Sequence, residues 1–267
     1  MQIAVSNYDL WISTRNLSSF LLMMYVFNEL SYGKYLPNSD RICRITNEFQ
    51  KSWGKQHVAK CYGKWVDPIK DEYPEIAQMA KFNDSYNNPI VMVDKNKFKS
   101  GNFYEADSTF FDVFRFNFVY GSASEALRNP KSVVLSRSIV YKYFGNQNPI
   151  GKFLKTLDDN SDSFEYHVSG VFQDALVNSH FHPEIIASWP SEKRKNEKGY
   201  YYILLKQVND FTALQGKLSE FLARRLPPGE ASEVSLYLQA LTDIHLKSQL
   251  GRELEVTENL TQVYAFF

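Results

Sequence analysis

The most apolar stretch of the chain is Leu17 to Phe27, Leu-Ser-Ser-Phe-Leu-Leu-Met-Met-Tyr-Val-Phe. It is shorter than the ~20 residues that cross a bilayer. Arg15 precedes it and Asn28-Glu29 follow, with no small-residue cleavage site behind, so it does not read as a secretory signal. Two readings stay open: an amphipathic helix docked on a core, or the outer end of a membrane helix. The chain closes on Val263-Tyr-Ala-Phe-Phe267, an apolar aromatic run of the kind that opens a membrane span at the interface. If both ends are membrane stumps, the residues between them form one extramembrane domain tethered at two points.

Between these ends the periodicity alternates between strand and helix. Asp40 to Gln50 reads as a strand, with Ile42 and the polar Arg44 on one parity and Cys43 and Ile45 on the other. A second strand is expected near Val58 to Trp65. Asp67-Pro68 opens a helix, with Val66, Ile69, Tyr73, Ile76 and Ala80 along one face and Pro74 as its kink. Short strands follow around Ala80 to Phe82 and Ile90 to Val93. Asp107 caps a short helix carrying Phe110, Phe111 and Phe114. Ser132 to Ser136 is a buried strand, and Ser136 caps a helix that Gly145 stops. Strands at Lys152 to Leu157 and Phe164 to Phe172 flank a polar loop, and the charged run Ser191 to Lys198 is a loop or linker. Tyr200 to Lys206, a helix from Asp210 with Leu214, Leu218, Phe221 and Leu222 inward, and Ser235 to Leu241 make a βαβ unit. The expected architecture is α+β: an outer sheet-and-helix unit built from both halves of the chain, with a middle insert over residues 97–195.

Composition narrows the function. Thirty Lys+Arg balance thirty Asp+Glu, so no global field gathers nucleic acid or anionic lipid. Aromatic residues make up 15% of the chain, enough rings to build cores in small subdomains. The rings at Phe103, Tyr104, Phe110 and Phe111 have spacings that suit a core, and any exposed remainder would form a client or partner surface.

Reactive motifs fail on inspection. Gly145-Asn-Gln-Asn-Pro-Ile-Gly-Lys152 has one residue too many for a phosphate loop, and Phe153 stands where a hydroxyl would hold magnesium. His180, His182 and Glu184 suggest a metal pair, but Pro183 interrupts the strand and spacing supplies no third ligand. Asp158, Asn160 and Asp162 begin like a calcium loop, yet Ser163 replaces the turn glycine and Ser169 the closing Glu. No Gly-x-Ser-x-Gly elbow is present. The reading is therefore not an enzyme, with no catalytic residue, metal or cofactor.

Ordered stretches over roughly residues 25–250 carry a family resemblance. They are Tyr25-Val-Phe-Asn-Glu-Leu-Ser-Tyr-Gly-Lys-Tyr-Leu-Pro-Asn-Ser-Asp-Arg-Ile42, Phe103 to Phe114, Ser132 to Ser136, Tyr143 to Lys152, Val168 to Asp174, Asn178-Ser-His180 and Leu236 to Ser248. Together they resemble the MacB-like periplasmic core domain of ABC-transporter permeases of the MacB/FtsX type, in the branch common in Bacteroidetes-like bacteria. The resemblance implies a porter-like subdomain over 31–96 and 196–250, an inserted sabre-like subdomain over 97–195, a partial first membrane helix or N-terminal helix over 1–30, and a lead into a second membrane helix over 251–267. It also implies a place on the periplasmic side of the bacterial inner membrane. The partners it implies are a separate cytoplasmic ATPase that binds the ATP, a second permease copy or paralogue, the membrane through the flanking helices, and a periplasmic adaptor; nucleic acid is not among them. The implied role is mechanotransmission, in which ATP-driven helix motion is coupled to export or release of an extracytoplasmic client. The alternative is a ligand-binding or sensor module without a transport role. In an oxidising compartment Cys43 and Cys61 either join the first two strands as a disulfide or stay separate buried thiols.

Overall fold

The computed structural model describes residues 7–52, 54–84, 88–157, 163–189 and 197–257. The polar loop at 158–162, the charged run over 191–196 and the aromatic run at 263–267 lie outside the described residues. The chain begins with α1 (Asn7–Leu30), and a 3₁₀ turn (Ser39–Arg41) then leads into β1 (Ile42–Lys51). β2 (Gly54–Val58), β3 (Cys61–Tyr62), the single turns α2 (Gly63–Val66) and α3 (Ile69–Glu72), and β4 (Ile76–Asp84) follow. The middle of the chain supplies β5 (Ile90–Val93), β6 (Asn96–Lys99), β7 (Phe103–Ala106), α4 (Phe110–Val113), β8 (Phe118–Tyr120), β9 (Ser132–Ser136), α5 (Arg137–Phe144), β10 (Phe153–Leu157), β11 (Ser163–Phe172) and β12 (Ile185–Ser188). The last part is β13 (Lys198–Leu205), α6 (Asp210–Arg225), α7 (Pro228–Glu233), β14 (Val234–Ala240) and α8 (Leu241–Lys247).

One hydrogen-bonded sheet runs β14-β1-β13-β4-β7-β12-β9-β11-β10-β5-β6. β1 is antiparallel to both β14 and β13, and β13 is antiparallel to β4. So β1 and β4 run parallel with β13 between them, and β13 and β14 run parallel with β1 between them. Each pair is a split βαβ unit, and the order is that of a ferredoxin-like βαββαβ sheet. The insert fills the connection between the second and third of these strands. There β9, α5 and β11 make a further parallel crossover, and β7 pairs with β4 to carry the sheet across without a break.

Strand parity sorts β1 onto two faces. Cys43 and Ile45 join Val66, Ile69, Leu218 and Phe221 in the core beneath α2, α3 and α6. Ile42 joins Phe82, Phe110, Phe114, Phe181 and Tyr202 on the opposite face. A third core lies between α5 and the distal strands, through Val133, Leu135, Ile139, Leu154 and Val168. Phe82 sits where the halves meet. Its ring stacks on Phe181 at 5.4 Å and meets Phe110 edge-on at 5.2 Å. The caps that end α5 follow the sequence: Ser136 Oγ accepts from Ile139 N, and Gly145 takes φ 62° after the last turn.

The structure corrects several expectations and decides one left open, the state of the cysteines. The helix from Asp67 does not reach Ala80, because Ile76 onward pairs with β13 over the length of β4, and ladder pairing outweighs a helical spacing that Pro74 already interrupts. Ile90 to Val93, placed before the insert by the sequence, pairs with β10 at the distal side, so the chain enters the insert earlier than residue 97. Phe103, Tyr104, Phe110 and Phe111 do not form a client surface. β7 and α4 turn all four rings inward, and none is more than 3% exposed. Cys43 and Cys61 are free, buried thiols, and Cys61 Sγ donates to the carbonyl of Ile45 at 3.3 Å instead of meeting Cys43. Burial pushes the Cys43 thiol up to about 12 and the Cys61 thiol higher still.

Because Phe82 belongs to both halves of the sheet, Phe82→Ala is expected to lower the unfolding free energy by about 3–5 kcal/mol. Urea unfolding followed by far-UV circular dichroism and by tryptophan fluorescence should still coincide in one transition. Two separated transitions would mean that the halves fold independently.

Candidate functional site

The helix α1 projects from the body. Leu17, Phe20, Leu21, Met23, Met24 and Phe27 are each more than half exposed. Among the described residues no helix is long and apolar enough to cross a membrane. The last turns of α1 dock on α8. Val26 and Leu30 pack against Leu246. Glu29 is buried there, and its carboxylate meets His245 Nε2 at 2.6 Å. The other side of that imidazole is covered by Tyr32, stacked at 3.5 Å and 5°. Gly33 then turns the chain with φ 72°, a left-handed conformation that favours glycine.

The same α8 leads straight into the segment that ends the described chain, residues 249–257. This segment is strapped across the sheet. Gly251 bridges to Val58, and Tyr200 Oη donates to the Arg252 carbonyl at 3.0 Å. Glu253 reaches Arg44, whose side chain is fully buried, and accepts from both Nη1 and Nη2, the latter at 2.9 Å. Gln239 and Ser248 accept from Nη2 as well. Burial works against the charge of Arg44, but Tyr202 and Glu253 outweigh it and hold the guanidinium above its ordinary value.

Glu255 makes the third clasp. Its carboxylate accepts from the backbone N–H of His182 at 2.7 Å and faces His182 Nδ1 at 2.8 Å, while Nε2 faces the Leu176 carbonyl at 3.0 Å. Both ring nitrogens thus look at acceptors, which suits the imidazolium. The bond to Glu255 raises the His182 pKa against a smaller opposing effect of burial. His180, two residues away, is the reverse. It is buried with Nε2 facing Tyr202 Oη at 2.5 Å, and burial, then the positive charge of Arg44, holds it well below the ordinary histidine value. The two imidazoles that spacing suggests as a metal pair are therefore committed to different partners.

These clasps gather Glu29, Arg44, Glu253, Glu255 and His245; Glu29 and His245 lie in stretches that carry the family resemblance, but no motif pairs them. The one local signal is Arg44, a charged residue on an apolar parity of β1. At the other end of β1 a cleft of about 410 Å³ opens among Phe49, Tyr62, Trp65, Lys64, Lys198 and Glu230. Its cations are already engaged: Lys198 lies over the Tyr62 ring at 4.5 Å, and Lys64 faces Glu230 at 3.7 Å.

Glu253→Ala would leave Arg44 buried without its carboxylate and is expected to cost about 3–5 kcal/mol in urea unfolding. The double replacement Arg44→Met with Glu253→Leu should recover most of that loss, since no bare charge remains. Equal losses in both variants would mean that packing, not charge, holds the strap. The histidines give a pH dependence with opposed signs. His180, and His57 through its own burial, have depressed pKa values, so below about 6.5 the unfolded chain takes up protons that the native chain refuses, and stability falls as pH falls. His182 has a raised pKa, so its contribution is complete below about 6.5 and fades as pH rises through the folded value. Stability should therefore decline between about pH 6.5 and 5, and His180→Gln should flatten that decline. An unchanged slope in this variant would remove His180 from the explanation.

Comparison with known proteins agrees with this fold. The MacB-like periplasmic core domain family matches residues 17–221. A domain described as that of a permease protein from Porphyromonas gingivalis superposes with a TM-score of 0.65 at 20% identity, covering 87% of this chain and 99% of its own. The periplasmic region of MacB from Actinobacillus actinomycetemcomitans gives 0.53 at 17% identity, covering 75% and 90%. The extracellular domain of the ABC-type transporter YknZ, from Gram-positive bacteria, gives 0.52 at 12% identity, covering 73% and 99%. No curated protein matches the chain. At these identities the superpositions speak for the fold, while the sequence match over most of the chain decides the family: the chain belongs to the MacB-like periplasmic core domains, the periplasmic domains of ABC-transporter permeases.

Proposed function

We propose that this domain is a non-catalytic lever that relays ATP-driven motion of membrane helices to an extracytoplasmic client. The observation that carries the reading is the convergence on α8. The foot of α1 and the strap at 249–257 are both fastened there, by Glu29 to His245 and by a strap continuous with α8 that Glu253 ties to Arg44. A displacement delivered through either end is then shared by the whole body, because one sheet and the Phe82 ring contacts join its halves. The partners in this reading are a separate cytoplasmic ATPase, a second permease copy or paralogue, and a periplasmic adaptor, with the domain held on the periplasmic side of the inner membrane.

The alternative, a ligand-binding or sensor module, draws on the cleft at the far end of β1. The two readings differ in what ATP does. In the assembled permease with its ATPase, spin labels at Tyr141→Cys report on the insert and at Val208→Cys on the outer unit, both positions being exposed, while Cys43 and Cys61 are buried. The lever predicts that the Tyr141–Tyr141 distance between copies changes on ATP binding while the Tyr141–Val208 distance within one copy stays fixed. Copies that keep their separation with and without ATP would reject the lever and favour the sensor.

A further inference from the structure

We propose that the turn bearing Leu176 and Val177, with Val256 beside it, lies in the headgroup layer of the bilayer and steadies the body on the membrane surface. This rests on reading α1 as the outer end of a membrane helix. Leu176 is 54% exposed, Val177 78% and Val256 90%. Single exposed aliphatic residues are ordinary on a protein surface; these three are tied together and held still. The Leu176 carbonyl and the Glu255 carboxylate share the His182 ring, which places Val256 next to the turn. Asp174 accepts from Ser138 N and Oγ at the start of the turn, and Ser179 N donates back to the Leu176 carbonyl at 2.9 Å.

The height of the turn is set by α1 itself. Asn178 Nδ2 donates to Ser31 Oγ at 2.8 Å, and the Asn178 carbonyl accepts from Gly33 N at 3.0 Å. Ser31 stands four residues beyond Phe27, the last strongly exposed apolar residue of α1, which is about 6 Å along a helix axis. The headgroup layer is about 5–7 Å deep on each side of the hydrocarbon. Lys34, next to Gly33, is exposed and suits a lipid phosphate. A lipid surface accepts a small projecting aliphatic pair without a shaped socket, which is why the assignment is to lipid and not to a second copy.

The test labels the whole chain singly with an environment-sensitive fluorophore at Val177→Cys, Leu21→Cys or Tyr141→Cys. Vesicles of phosphatidylethanolamine and phosphatidylglycerol are added, with or without spin-labelled headgroups. Expected are a blue shift and headgroup quenching at position 177, deeper immersion at 21 and no change at 141. Leu176→Ser with Val177→Ser should lower vesicle partitioning at least about tenfold. Immersion at 21 with 177 left in water would overturn this inference and leave the lever reading standing. Water at both positions would remove the membrane reading of α1 as well. A shift at 177 that follows protein concentration without lipid would overturn the inference in favour of self-association.

Discussion

A guanidinium removed from water must be met by an anion, and Arg44, with no exposed side-chain surface, is the most deeply buried charge on the first strand of the sheet. Its carboxylate comes from Glu253, more than two hundred positions later in the chain, and that requirement draws the segment after α8 across the sheet. Gln239 on β14 and Ser248 at the end of α8 share the same guanidinium, so the strap, the edge strand and the helix are located by a single charge. Once α8 is placed, His245 is available to Glu29, and the foot of α1 has somewhere to stand. Buried ion pairs of this sort add little net stability compared with apolar packing. Their contribution here is to specify which segments lie together.

Continuity of the body has a separate origin. The outer unit is a ferredoxin-like sheet whose middle connection has been expanded into the insert, and the insert extends that sheet instead of hanging from a linker. Pairing of β4 with β7 gives the backbone continuity, and the rings around Phe82 fill the seam beneath it. Close-packed aromatic cores have few alternative arrangements of similar energy. The charge clasps and the aromatic seam divide the work: one ties α1 and the strap to the body, the other joins its halves.

Much of the local structure could be read from residues close in sequence. Ser136 and Gly145 delimit α5 because each acts on backbone within one turn of itself. Leu214, Leu218, Phe221 and Leu222 mark the buried stripe of α6 through a period that needs no partner to be visible. The run Val66 to Ala80 shows the opposite. Its spacing fits a helix, but the residues after Pro74 find a full strand partner in β13, and the local preference yields. The cysteines show the same limit, since nothing in their spacing reveals that Cys61 turns toward the Ile45 carbonyl.

Periodicity, caps and ordered motifs were enough to establish an α+β chain with an inserted middle, its family and the absence of any complete reactive motif, because each of these is written in residues a few positions apart. The fastening of the ends was decided only in three dimensions. Glu29 with His245, Arg44 with Glu253 and His182 with Glu255 are separated by up to about two hundred residues, and no local pattern encodes which acid will reach which base. Desolvation supplies the rule that the sequence lacks: a charge buried by the fold takes whichever counter-charge the fold brings within reach.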